Sequence, residues 1–543
     1  TNNTTGNISF NNNRDMTLTG SSSAAGGIFS VVNAAGTLST SGPITSTSNI
    51  SLQTPGLLTI SHAVTTSGTG YVSLTGTGVT NTSNITAANG IIIDAGTGVL
   101  TNTSTLTNLG GTGTISLAAD TMSLTGSISA GSGSINLMTA TAGRGISIGA
   151  GTTANTLGLS VAALNTITST GTFSIGNFFR TTTIVTDGSV TGVTGLVGNW
   201  VFQTAGGNIT LNHAVTTPAN LTLGTIGFIA GTTGAVNGTG ALTIGPGGVN
   251  ALSVSAREGI NLSNVGNLAN AVTLTNNTTG NISFNNNRDM TLRGSNSATG
   301  GAFSVVNATG TLSTSGAITA GSNISLQTPG LLTISHAVTT SNAAINLTAD
   351  TMSFTGSMSN GSGPINLTTV TPSRGISIGA GTTANTLGLS VAALNTMTSS
   401  GTLTIGDTAH AGTIVTDGSV TGVTGLTGNW VLQTAGGNIT LNNAVTTPAN
   451  LTLSTTGGGA TTGSVNGTGA LTVGTAGANS LIVNAGAGVN LSNVGNLANV
   501  ISLTNSTSGN ISFNNNRDMT LRGSNLSAGG TFSVVNATGT LTV

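Results

Sequence analysis

The sequence predicts an all-β chain wound as a parallel β-helix, a β-solenoid of about 21 residues per coil. Three observations predict it. An apolar-polar-apolar triplet returns at near-constant spacing. A longer repeat occurs in copies that differ by a whole number of those spacings. The composition, rich in Thr, Ser, Asn, Gly and aliphatic residues, favours strands and turns over helices.

The triplets are Ile8-Ser9-Phe10, Phe29-Ser30-Val31, Ile50-Ser51-Leu52, Val72-Ser73-Leu74, Ile91-Ile92-Ile93, Ile115-Ser116-Leu117 and Ile135-Asn136-Leu137. Their six steps average about 21 residues, inside the range of solenoid repeats. Strand alternation turns Ile8 and Phe10 inward and Ser9 outward. Stacked coils would then align Ser9, Ser30, Ser51, Ser73 and Ser116 as an outer ladder beside an aliphatic interior column. A second apolar strand follows in each coil, as at Met16-Thr17-Leu18, Leu38 and Leu58-Thr59-Ile60. Gly, Asn, Ser and Thr clusters supply the turns. At about 4.8 Å per coil, about 26 coils would make a rod on the order of 120 Å long.

The long repeat begins with TNNTTGNISFNNNRDM at Thr1, recurs at Thr275 and returns as TNSTSGNISFNNNRDM at Thr504. This predicts one continuous solenoid made of a first unit (1–274), a second unit two coils shorter (275–503) and the start of a third (504–543). Matching residues lie 274 apart up to His62 and His336, but 230 apart at Asp120 and Asp350. The second copy therefore lacks 44 residues, or two coils of 22. A solenoid survives such a loss, whereas a globular domain rarely does. The opening Thr1-Asn2-Asn3-Thr4 has neither an initiating Met nor a signal peptide, as expected of an excerpt from a longer tandem array.

Composition removes several function classes. Charged residues are 3% of the chain, the net charge is −1, and all nine basic residues are Arg, so there is no basic track for nucleic acid. The 84 glycines show no Gly-X-Y period, which excludes collagen. Absence of Cys excludes disulfides and thiolate chemistry. No apolar run approaches the roughly 18 residues of a membrane helix, and an outer-membrane barrel would need aromatic girdles that are missing. No membrane insertion is expected.

The recurring GNISF, SNISL, GNITL and GINLS phrases in Gly/Thr/Asn-rich coils resemble filamentous-haemagglutinin-type exoproteins and related bacterial β-strand-repeat adhesins. The resemblance extends over the whole chain. It implies a right-handed coil, secretion across the outer membrane and a place in a surface fibre. The chain departs from that group in its scarcity of charge and in long units this similar, features that point toward a repetitive structural fibre.

Reactive side chains are few, and the copies test them. His213 becomes Asn443, His410 corresponds to Arg180, Glu258 to Ala487 and Arg257 to Gly486; His62 and His336 match but stand without a carboxylate nearby in sequence. The nine Asp are scattered, although Asp120/Asp350 and Asp187/Asp417 persist. A polysaccharide-cleaving β-helix would need clustered carboxylates. Arg144 and Arg374 persist as turn residues. Trp200 and Trp430, both in GNWV, are expected inside a coil rather than as a sugar platform. Thr17-Leu18-Thr19 and Thr45-Ser46-Thr47 are similar to pieces of ice-binding β-solenoids, but as isolated pieces they stand out of step with the coil length.

One charged motif recurs: Asn13-Arg14-Asp15, Asn287-Arg288-Asp289 and Asn516-Arg517-Asp518, each preceded by two further Asn. Read structurally, it is a turn with an Asn ladder and a local Arg–Asp contact, worth about 0–1 kcal/mol if exposed. Read functionally, it registers neighbouring rods side by side. The sequence thus predicts a non-catalytic structural protein of an extracellular fibre, filament or sheath. No cofactor or metal is expected, and its partner would be itself. The alternative is the stalk of a large secreted adhesin meeting a host or neighbouring cell surface, with its binding module elsewhere. A carbohydrate-active enzyme is the remote alternative.

Overall fold

The computed structural model describes residues 1–226, 233–245, 247–248, 250–475 and 477–543. The chain winds about 25 turns of roughly 21 residues, with 2% helix and with its strands stacked in parallel. It divides into two units, Thr1–Thr278 and Thr279–Val543.

In unit 1 the interior column is the one the triplets predict. Ile8 pairs with Phe29, Phe29 with Ile50, Ile50 with Val72, Val72 with Ile91, Ile91 with Ile115 and Ile115 with Ile135. Beyond it the column continues through Phe173, Trp200, Leu221, Leu252 and Val272. From Phe29 to Leu252 these side chains are buried, each worth about 1.5–3 kcal/mol in removed apolar surface before entropy is counted. Phe10 is an exception at 51% exposed. Its strand, Ile8–Asn12, stacks on Phe29–Asn33. Its counterparts Phe284 and Phe513, within stacked coils of unit 2, are fully buried.

The early coils carry three strands, where the sequence reading found two. The second wall runs Met16, Leu38, Leu58, Val79, Leu100, Met122. A third runs Ile44, Val64, Ile85, Leu106, Ile128, Ile167. Most strands of the third wall are two or three residues long, too short for alternation to declare itself.

The spacing also departs from about 21 after Ile135, whose next partner is Phe173. The intervening chain forms strand Gly145–Gly149, doubles back through a loop and lays strand Thr156–Ser160 parallel against it. A single helical turn follows, Val161–Leu164, capped by the Ser160 hydroxyl.

Unit 2 repeats this plan with one excision. Ile324, the counterpart of Ile50, pairs directly with Ile345, the counterpart of Ile115; Leu332 likewise meets Met352, and Val338 meets Met358. The coils equivalent to those of Val72 and Ile91 are absent, and all three walls close in register across the gap.

Candidate functional site

All nine aspartates accept hydrogen bonds from backbone N–H groups, most of them across coils. Asp15, Asp289 and Asp518 accept from Thr37, Thr311 and Thr540 at 2.6, 2.7 and 2.6 Å, and from the hydroxyls of the same threonines. Asp120 takes Ala140 and Thr141, and Asp350 takes Thr371. Asp94 and Asp407 close local turns onto Gly96 and Ala409.

Asp187 is the most fully engaged. It follows strand Ile184–Thr186, which pairs with Gly145–Gly149, so its carboxylate faces the loop leaving that strand. One oxygen accepts from the N–H of Ala150 (3.1 Å) and Gly151 (2.9 Å), the other from Thr152 (2.7 Å) and Thr153 (3.0 Å). Gly151 has φ +69°, which lets successive N–H groups converge, and a Cβ there would lie 2.9 Å from the N of Leu159. Asp417 repeats the cradle with Ala380, Gly381, Thr382 and Thr383.

Partial burial on its own would raise the carboxyl pKa of Asp187 and Asp417. The N–H donors outweigh it and hold both below the ordinary value. Thr37 and Thr540 lower Asp15 and Asp518 through backbone and side-chain donors.

The recurrent triads lie at turns. Asn13, Arg14 and Asp15 are exposed, as are Asn287, Asp289, Asn516 and Asp518, while Arg288 and Arg517 are half-buried. The carboxylate bonds of Asp15 and Asp518 run to the next coil, where a contact within the motif was expected. The Asn ladder exists, one residue earlier in each motif: Asn12, Asn286 and Asn515 donate to Asn33, Asn307 and Asn536 at 2.9, 3.1 and 3.4 Å. Arg517 donates to Asn499 and to the carbonyl of Gly474.

No family model, curated protein or solved structure matches the chain.

The histidines are placed structurally. Nδ1 of His213 lies 2.9 Å from the Thr186 carbonyl, and at the same place the Asn443 amide donates to Thr416 at 2.9 Å. The His-to-Asn exchange between copies thus keeps one inter-coil bond. His62 and His336 make the equivalent contact to Thr40 and Thr314. His410 is 2% exposed, with Nδ1 3.2 Å from the Thr369 hydroxyl and Nε2 without a partner among the described residues. Burial lowers its pKa and the Asp407 charge partly opposes that shift.

Trp200 and Trp430 are interior. Trp200 stands edge-on to Phe173 at 5.2 Å and donates to the Leu196 carbonyl. A polar cavity of about 330 Å³ in unit 2 is lined by Asn346, Asn366, Thr368, Asp407 and Gln433 among others, with Asp407 its sole carboxylate. Among the described residues no three His, Asp or Glu come close enough to hold a metal ion.

Sequence reasoning missed the Asp187 cradle. A signal was present, because Ile148–Thr166 and Ile378–Thr396 are identical. It was overlooked because the loop donates through backbone N–H groups, which leave no side-chain signature.

Proposed function

We propose that this chain is a non-catalytic structural protein of an extracellular fibre, filament or sheath built from tandem β-solenoid units, associating with copies of itself. The observation that carries the reading is how its few charges are used. Every Asp accepts from backbone N–H groups, mostly of adjacent coils, so the acidic groups serve the stacking of coils. Glycan cleavage of the usual kind needs two facing carboxylates, and the polar cavity of unit 2 offers one. Walls with little charge also lack the repulsion that keeps like rods apart, and the exposed Asn13, Arg14 and Asp15 are candidate points of side-by-side register, with Asn287-Arg288-Asp289 and Asn516-Arg517-Asp518 as their repeats.

The alternative is the stalk of a large secreted adhesin. The GNISF-type phrases that resemble filamentous-haemagglutinin-type exoproteins favour it. Electron microscopy of the purified chain separates the two. Regular filaments of many chains support the structural role, and dispersed single rods at high concentration overturn it. Turnover on a glycan panel would overturn both.

A further inference from the structure

We propose that the second wall of unit 1 is an ice-binding face. This inference stands apart from the filament reading and rests on a correction to the sequence analysis. The Thr-x-Thr pieces, expected to be out of step with the coil, each begin in register within their own wall, Thr17 on the second and Thr45 on the third, while Thr19 falls at the register shift between Leu18 and Gly20. Thr17 pairs with Ser39, Ser39 with Thr59, Thr59 with Thr80, Thr80 with Thr101 and Thr101 with Ser123, all pointing outward.

Two residues further along, Ser61, Thr82, Thr103 and Thr125 form a second outward column. The N–H groups of Thr82, Thr103 and Thr125 donate to the carbonyls of Ile60, Asn81 and Asn102 at 2.9, 3.0 and 2.9 Å, so the ladder continues under it. The result is a two-dimensional hydroxyl lattice. Its rungs are about 4.8 Å apart and its columns about 6.6 Å apart, the strand spacing and twice the rise per residue. Oxygen atoms on the lattice planes of ice repeat at similar intervals.

The lattice is rigid. Thr is stiff at χ1, and the hydroxyls of Thr82, Thr103 and Thr125 all donate to a carbonyl of the preceding coil, at 3.3, 3.2 and 3.4 Å, which tethers the three in the same way. Beneath the central rungs Asn81 donates to Asn102 at 2.8 Å, with both side chains fully buried. No charged residue occurs in 76–82 or 96–103 to impose its own hydration. The flanking column is apolar, with Leu57 43% and Val99 46% exposed on either side of Gly78. Hydroxyls and methyls on a fixed grid hold water in a lattice-like order, and because each hydroxyl contributes little alone, binding grows with the number of rungs.

The other walls fit less well. The third wall has one column, Thr45, Thr65, Thr86, Thr107, Ser129 and Thr168; Ala88 and Leu109 interrupt its second. Unit 2 lacks the two Thr-Asn-Thr coils, since Thr333 stacks directly on Ser353, and Arg293 replaces Thr19.

The test is partition of the full chain into a slowly growing ice shell, with inhibition of ice recrystallisation as a second readout. The chain is expected to enrich several-fold in the ice over a non-binding control protein. Thr80→Tyr with Thr101→Tyr should reduce that enrichment several-fold, and Thr86→Tyr with Thr107→Tyr on the third wall should leave it unchanged, with circular dichroism confirming the fold of each. Should the first pair unfold, deletion of residues 68–111 replaces it, because unit 2 already folds across that junction. Exclusion of the unaltered chain from ice, or full enrichment of a folded Thr80/Thr101 variant or of the deletion, overturns the proposal.

Discussion

Replacing Asp187 with Ala tests whether carboxylates hold the coils together. The change removes the acceptor for four backbone N–H groups, at 2.7–3.1 Å, and for the hydroxyls of Thr152 and Thr153. Ala150, Thr152 and Thr153 are exposed, so water takes over part of what is lost. A charged acceptor contributes about 1.5–3 kcal/mol, which solvent screening reduces to about 1–2 kcal/mol here. That corresponds to amide exchange at Gly151–Thr153 faster by roughly five- to thirty-fold. Hydrogen exchange is the suitable assay, because a stacked array opens locally and a single global midpoint would average the effect away. Asn does not rescue, since its amide turns an N–H₂ toward one pair of N–H donors.

The pH dependence has a defined sign. The folded pKa of Asp187 lies below 3.8, so its contribution is complete above the unfolded value of about 3.9 and is lost as pH falls through the folded value. Protection at Gly151–Thr153 should therefore drop below about pH 4 in the unaltered chain, beyond the ordinary pH dependence of exchange, and Asp187→Ala should lack that drop. The Gly381–Thr383 loop, held by Asp417, serves as the internal reference. Unchanged exchange in Asp187→Ala, or the same acid step in both proteins, refutes the reasoning.

Other substitutions probe other parts of the coil. Ile91→Ala empties a fully buried place between Val72 and Ile115 and should cost about 2–5 kcal/mol, read from amide hydrogen exchange in the strands of that coil and its two neighbours. Asn102→Ala removes the acceptor of the buried Asn81 amide and should cost about 1–3 kcal/mol by the same measurement. His213→Asn should fall within about 0.5 kcal/mol of the parent, because Asn443 makes the same bond at the matching place; a larger loss would show that the imidazole does something the amide does not.

The legible part of this fold was what repeats along the stack. The triplet column from Ile8 to Ile135 was readable because each member is apolar and its spacing stays near one coil. The 44-residue difference between copies was readable as two coils for the same reason. The third wall was not, because a strand such as Val64–Thr66 gives alternation too little room to show. Nor was the insertion after Ile135, where the step to Phe173 breaks the average. The Thr columns were not legible either, because Thr17 and Thr45 lie on different walls and each is in register only with its own. The Asn-Asn-Asn-Arg-Asp motif was recognised as recurrent, but the ladder it forms uses Asn12, Asn286 and Asn515, because only that position of the run turns inward.

What the copies keep and what they exchange follows from stacking. His213 and Asn443 differ in acid–base chemistry and coincide in donating to the carbonyl 27 residues earlier. Glu258 accepts from the N–H of Gly234; its counterpart Ala487 has no carboxylate, and the coil persists. Asp187 and Asp417, by contrast, each satisfy four backbone donors of one loop, and the residues supplying those donors are identical in the two copies. The carboxylates on which four backbone groups depend are thus kept in both copies, whereas positions that make a single inter-coil bond include ones that are exchanged, as at His213 and Glu258. A whole coil is dispensable when its removal restores the pairing above and below, as Ile324 on Ile345 and Leu332 on Met352 demonstrate. Register permits length to change by whole coils, and it also tolerates the single-residue difference by which the offset between copies passes from 230 at His213 to 229 at Glu258, since the walls stay paired beyond it; within a strand, by contrast, a shift of one residue would turn every buried Ile and Leu of a wall outward.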